Sequence, residues 1–166
     1  MMRKSIIHSI DGAAAVEMAL VTPLLLIVMM GSFELGNYFM SEHKLVKAVR
    51  DGARFAGRQT FANYTCPSTI DSATATKIKN VIRTGLLAGG TNRIVNWTDA
   101  QITLSLTCQP TANSVALTGI YRNIATGAPV VTVTAAVRYT PVMASYGFRG
   151  VGLDLNATQE AAVMGL

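Results

Sequence analysis

Few residues in this chain of 166 are equipped for chemistry, and their spacing argues against catalysis. There are two histidines, His8 and His43, and two cysteines, Cys66 and Cys108. His8 lies in a short basic leader and His43 stands among charges, so no Ser–His–Asp relay can be assembled. Neither a CxxC nor an HExxH pattern occurs, so no metal or other cofactor is expected. Gly89–Gly90 and "GFRGVG" lack the rest of a phosphate-binding loop. Asp71, Asp99, Asp154 and Glu160 are scattered and read as caps or surface charges. The reading is that this is not an enzyme. The residue that stands out is Glu17, a carboxylate inside "DGAAAVEMALVTPLLLIVMMGSFELGNYFM". A charge at membrane depth costs roughly 2.5–3.5 kcal/mol on insertion scales, so its retention calls for a function.

The element that must carry Glu17 is a helix. About 20 residues at 1.5 Å each cross a bilayer core, and Ala13 to Phe33 suffices. Half of the residues are hydrophobic and 14% are charged, with the apolar excess concentrated in residues 13–40. One membrane helix followed by one small soluble domain fits that distribution. The net charge of +5 is moderate, and no basic–aromatic interleaving or recognised module points to nucleic acid. No small-x-small cleavage site follows Met30, so the apolar helix is expected to stay in the mature protein. Pro23 removes a backbone donor inside the helix, which predicts a kink or local loosening. Glu34, near the outer boundary, reads as an interfacial charge.

The order of these features, "MMRKSIIHSIDG" and then "AAAVE" ahead of a long apolar run, resembles the class III signal of type IV prepilins. The longer pattern "GAAAVEMALVTPLLL", with "FELGNYFM" and "VRDGARFAG", is similar to the TadE-like minor pilins of tight-adherence (Tad) pili. Met18 stands where that family often has an aromatic residue. The resemblance covers residues 12–57 and is loose beyond them. It implies removal of a leader, residues 1–12, by prepilin peptidase between Gly12 and Ala13. Glu17 would become the fifth residue of the mature chain. Its carboxylate could then pair with the new α-amino group of Ala13, in its own chain or in a neighbour, and set axial register in a filament. The implied partners are prepilin peptidase, other minor pilins, the major Flp-type pilin, the inner-membrane assembly platform and the lipid bilayer. The N-terminus would be cytoplasmic and the C-terminal domain periplasmic. The large domain argues against the major subunit. The rival reading is an uncleaved single-span inner-membrane anchor presenting a periplasmic binding domain.

Residues 13–58 read as one long helix, with residues 13 to about 40 in the membrane. In "SEHKLVKAVRDGARFAGRQ", Lys44, Lys47, Arg50, Arg54 and Arg58 share one face, with Leu45, Ala48, Val49, Gly52, Ala53 and Ala56 largely on the other. The small residues invite close packing by the soluble domain. The basic stripe reads as a solvated face or as a contact for lipid headgroups and acidic neighbours. Five cations outside against two in the leader oppose the positive-inside tendency, which a short leader and a dedicated peptidase would override.

Residues 59–166 read as an α+β globular domain. Ser68 or Thr69 caps a helix that Gly89–Gly90 ends, with Ile70, Ala73, Ala75, Ile78, Val81, Ile82 and Leu86 as its apolar stripe. Alternation predicts three strands: Ile102 to Cys108, one carrying Val131, Val133, Ala135 and Val137, and one from Leu153 to Val163. "PVMASYGFRGVG" reads as a loop or short helix, and "SVALTGIYRN" as an extra strand or a surface excursion. The expected fold is α+β and pilin-like, a long helix packed on a small antiparallel sheet with an additional helix. In an exported domain, Cys66 and Cys108 form a disulfide.

Overall fold

The computed structural model describes residues 11–109, 119–122, 124, 127–147 and 152–165. The leader residues 1–10 and most of "SVALTGIYRN" lie outside them; Gly119–Tyr121 of the latter form a single 3₁₀ turn. Helix α1 spans Asp11–Gly57, 47 residues without a break at Pro23, so it is about 70 Å long. Its first half stands clear of the domain. From Glu34 onward it is the spine on which everything else packs.

The reason lies in the spacing of small and apolar residues. Leu45, Ala48, Val49, Ala53 and Ala56 are all buried and recur at helical intervals, forming one continuous stripe. Gly52 sits in that stripe because nothing larger fits: a Cβ there would lie 2.2 Å from Cγ1 of buried Ile82. Ile82 belongs to α2, Ser72–Thr84, which packs along α1. Helix α2 starts at Asp71, whose carboxylate accepts from the Thr74 N–H at 2.9 Å. It stops at Gly85, left-handed at φ 84°, whose N–H returns to the Val81 carbonyl at 2.9 Å. The expected cap at Ser68 or Thr69 and stop at Gly89–Gly90 are therefore corrected, and Leu86 lies beyond the helix, exposed.

The second packing partner of α1 is a three-stranded antiparallel sheet in the order β3 (Ile102–Gln109), β4 (Ala128–Arg138), β5 (Asp154–Ala162). Alternation places Ile102, Leu106, Val131, Val133, Val137 and Leu155 inward, with Leu106 opposite Val131 and Val137 opposite Leu155. The outer face is polar, and Thr134 meets Thr158 across the strands at 3.2 Å. A two-residue hairpin, β1 (Tyr64–Thr65) with β2 (Thr69–Ile70), bridges α1 to α2. Cys66 in its turn is joined by a disulfide to Cys108 of β3, with Cα atoms 5.9 Å apart. Closing that loop contributes about 4 kcal/mol in the chain-entropy view. The molecule is thus α+β, with the long helix, second helix and small antiparallel sheet expected of a pilin-like layout.

Candidate functional site

The N-terminal residues singled out by the sequence sit on a bare helix. Gly12 has nothing within 4 Å of a Cβ position. Ala13, Glu17 and Pro23 are exposed, and Glu17 has no ion-pair partner among the described residues. The apolar side chains from Val16 through Met29 are likewise mostly exposed, and the most apolar 18-residue window of α1 has a mean hydropathy of 2.2 with none of it buried. By length and composition the helix can cross a membrane. Within that stretch Ser32 returns its hydroxyl to the Val28 carbonyl at 2.8 Å, so its polarity is met inside the helix.

The basic stripe is on the face opposite the core. Lys44, Lys47, Arg50, Arg54 and Arg58 are all exposed. Arg50 and Arg54 flank a shallow cleft shared with Gln159 and Glu160 of β5. Lys44 borders a second cleft of about 360 Å³, together with Asn37, Ser41, Arg93, Arg138 and Tyr139. Arg93 is also held by Asp51 at 2.9 Å. Lys44, Lys47, Arg50 and Arg54 thus share one helix face, with Arg58 just past the helix end, but the stripe converges on no single site, and the cation cluster at its start gains two members, Arg93 and Arg138, from distant parts of the chain.

The structure builds its most specific polar site at Glu34, a residue that the sequence shows only as a charge near the outer boundary of the apolar run. Glu34 is 9% exposed, covered by the globular domain. The Tyr139 hydroxyl donates to its Oε1, as does the Val142 N–H at 3.2 Å, while the Met143 N–H donates to Oε2 at 2.9 Å. Those two amides open the 3₁₀ turn Val142–Tyr146, so the carboxylate closes the turn and fastens it to α1. Asn37, one turn further along α1, donates to the Tyr139 oxygen at 2.7 Å. Burial raises the Tyr139 phenol above its ordinary pKa, and the hydrogen bond to Glu34 raises it further, against a smaller lowering by Asn37. Tyr38 completes the junction, its ring packed edge-on to Tyr139 with centroids 5.2 Å apart.

A sequence signal for Glu34 existed. Positions 34, 38, 41, 45, 48, 52 and 56 recur at intervals of three and four, the stripe that faces the domain. Glu34 therefore points the same way as Leu45 and Ala48, toward protein. The partners were invisible because they lie more than a hundred residues downstream.

The model of the TadE-like protein family matches residues 12–54. This segment is TadE-like. The match covers the apolar half of α1 and most of its packed half, and so takes in Glu17, Glu34 and the stripe as far as Arg54. It associates the chain with the tight-adherence pilus system, and one N-terminal apolar helix fits a single-pass membrane protein of such a system. No curated protein and no solved structure matches the chain. Among the described residues, no three His, Cys, Asp or Glu side chains come together as a metal-holding group.

Proposed function

We propose that this protein is a minor pilin or pseudopilin of a tight-adherence pilus. Prepilin peptidase cleaves it between Gly12 and Ala13, and it acts at assembly initiation or at the tip, supporting adhesion through assembly rather than catalysis. The observation that carries this reading is the TadE-like match, which begins at Gly12 and holds Glu17 at the fifth position after it. Cleavage would create an α-amino group at Ala13, one helical turn from Glu17. That cation is the partner the exposed carboxylate lacks among the described residues. Within a bilayer the pair is tolerated where the lone charge is not. Other minor pilins, the Flp-type major pilin and the inner-membrane platform are the proposed partners, with the globular domain in the periplasm before assembly.

Intact-mass measurement of protein extracted from membranes tests the processing step. A species beginning at Ala13 is expected in cells with active prepilin peptidase. A species retaining residues through Gly12 in those cells rejects the pilin reading and leaves an uncleaved membrane anchor.

A further inference from the structure

The turn Val142–Tyr146 presents an apolar surface: Val142 is 63% exposed and Tyr146 72%, and Leu153, whose carbonyl accepts from the Tyr139 N–H, is half-exposed as well. Glu34 fixes its height, because the Val142 and Met143 amides bond to that carboxylate. Glu34 directly follows the apolar run that ends at Phe33. On the side of α1 away from the domain, Phe39 and Met40 remain exposed. Met40 lies six residues beyond Glu34, about 9 Å further along the axis. The turn is therefore set lower, toward the apolar end, than the last outward-facing apolar residues of the helix. At the same height on the helix lies an apolar recess of about 400 Å³, lined by Gly31, Glu34, Leu35 and Tyr38 of α1 together with Tyr139 and Leu153. The cleft that carries Lys44, Arg93 and Arg138 begins at the same turn, with Pro141 and Val142 in its wall.

We infer that Val142–Tyr146 is a second membrane-contacting element, a foot by which the globular domain rests in the boundary between lipid headgroups and acyl chains. The inference rests on the reading of α1 as a membrane span. An apolar and aromatic tip with a cationic collar on its watery side matches the chemistry of an interfacial site, the phenol of Tyr146 at headgroup depth and the cations toward lipid phosphates. Continuity with the span selects lipid as the occupant over a second copy of the chain. The foot also explains the burial of Glu34: Tyr139, Val142 and Met143 interpose protein between a carboxylate and hydrocarbon. With two attachments, the span and the foot, the domain is held at one tilt to the membrane instead of swinging on a bare helix.

The test uses the full chain reconstituted at low density in phosphatidylcholine vesicles. Leu25→Cys, Tyr146→Cys and Thr158→Cys variants each carry an environment-sensitive fluorophore, the native cysteines being bridged. Quenching is read with nitroxides placed near the headgroup or deep in the acyl chain. The foot predicts that Leu25 responds to the deep nitroxide, Tyr146 to the shallow one, and Thr158, on the outer face of the sheet, to neither. Val142→Asp should abolish the shallow quenching at Tyr146 while Trp97 fluorescence keeps its native spectrum. A deep Leu25 with a Tyr146 that behaves like Thr158 overturns the foot and leaves the span intact. An unquenched Leu25 overturns the span itself. Protection of Tyr146 that appears only at high protein density overturns the foot in favour of a contact between subunits.

Discussion

Glu17 and Glu34 are two carboxylates on one helix, separated by about 26 Å of helical rise. In the sequence they look alike, each an acid set in apolar surroundings. In the structure they are opposites. Glu34 is buried and accepts three hydrogen bonds from its own chain, while Glu17 is exposed with no ion-pair partner among the described residues. The difference separates a charge that folding satisfies from one that folding leaves unpaired among the described residues. Glu34 belongs to the stability of the monomer, and the proposed function gives Glu17 to what the monomer joins.

The strongest way to break that contrast is to remove each acid in turn. Glu34→Ala leaves two turn amides without their acceptor and the Tyr139 hydroxyl with only the residue-34 carbonyl at 3.3 Å, which should cost about 3 kcal/mol. Thermal unfolding in detergent micelles, followed through Trp97, a buried and unique tryptophan, reads the loss directly. Glu17→Ala should leave that transition where it was and insert normally, yet fail to enter pili. An unchanged transition for Glu34→Ala would mean that the junction contributes nothing to stability. Normal piliation for Glu17→Ala would remove the role in axial register.

A finer cut dissects the Glu34 junction itself. Tyr139→Phe keeps the ring against Tyr38 but removes the hydroxyl that donates to Glu34 and accepts from Asn37, an expected loss of about 1–2 kcal/mol. The tyrosine also sets a pH dependence. Its folded pKa is raised, chiefly by burial and then by Glu34, so the folded state holds the phenolic proton more tightly than the unfolded chain does. The stabilisation is complete below the ordinary tyrosine pKa of about 10 and is lost as pH rises through the higher folded value. Wild type should therefore lose stability at alkaline pH more steeply than Tyr139→Phe. Parallel denaturation curves for the two would show that Tyr139 ionises as freely in the fold as out of it.

The same contrast marks what was legible in the sequence. Period-two alternation located β3, β4 and β5 and their inner faces, because a one-sided sheet must bury every second residue. The small-residue stripe from Ala48 to Ala56 correctly announced a tightly packed neighbour on α1, which proved to be both α2 and the sheet. The ends of α2 were misread for a local reason. Gly85 and Gly89–Gly90 are competing stop signals a few residues apart, and Leu86 extended the apparent apolar stripe past the true stop. The burial of Glu34 is hidden from the sequence for a global one. Its neighbours in sequence are apolar, and the groups that bury it arrive from Tyr139, Val142 and Met143. A periodicity can say which way a side chain faces, but not what meets it there.

Asp71 supplies a third carboxylate and the mildest test, since it is satisfied locally without burial. Its oxygen caps α2 through the Thr74 N–H, and this bond, then the Thr74 hydroxyl, holds its pKa below the usual aspartate value, with a smaller assist from Lys77. A depressed folded pKa means that the stabilisation is present above the unfolded value near 4 and is lost as pH falls through the folded one. Asp71→Ala should therefore be slightly less stable than wild type at neutral pH, with the gap closing in acid. Asp71→Asn retains a capping oxygen without the charge, so its difference from Asp71→Ala should not change across that range. A gap between wild type and Asp71→Ala that persists unchanged at the acid end would assign the cap to the neutral oxygen alone. Local satisfaction at the surface, as here, leaves a titratable signature; a carboxylate sealed as deeply as Glu34 shows itself first in the unfolding midpoint.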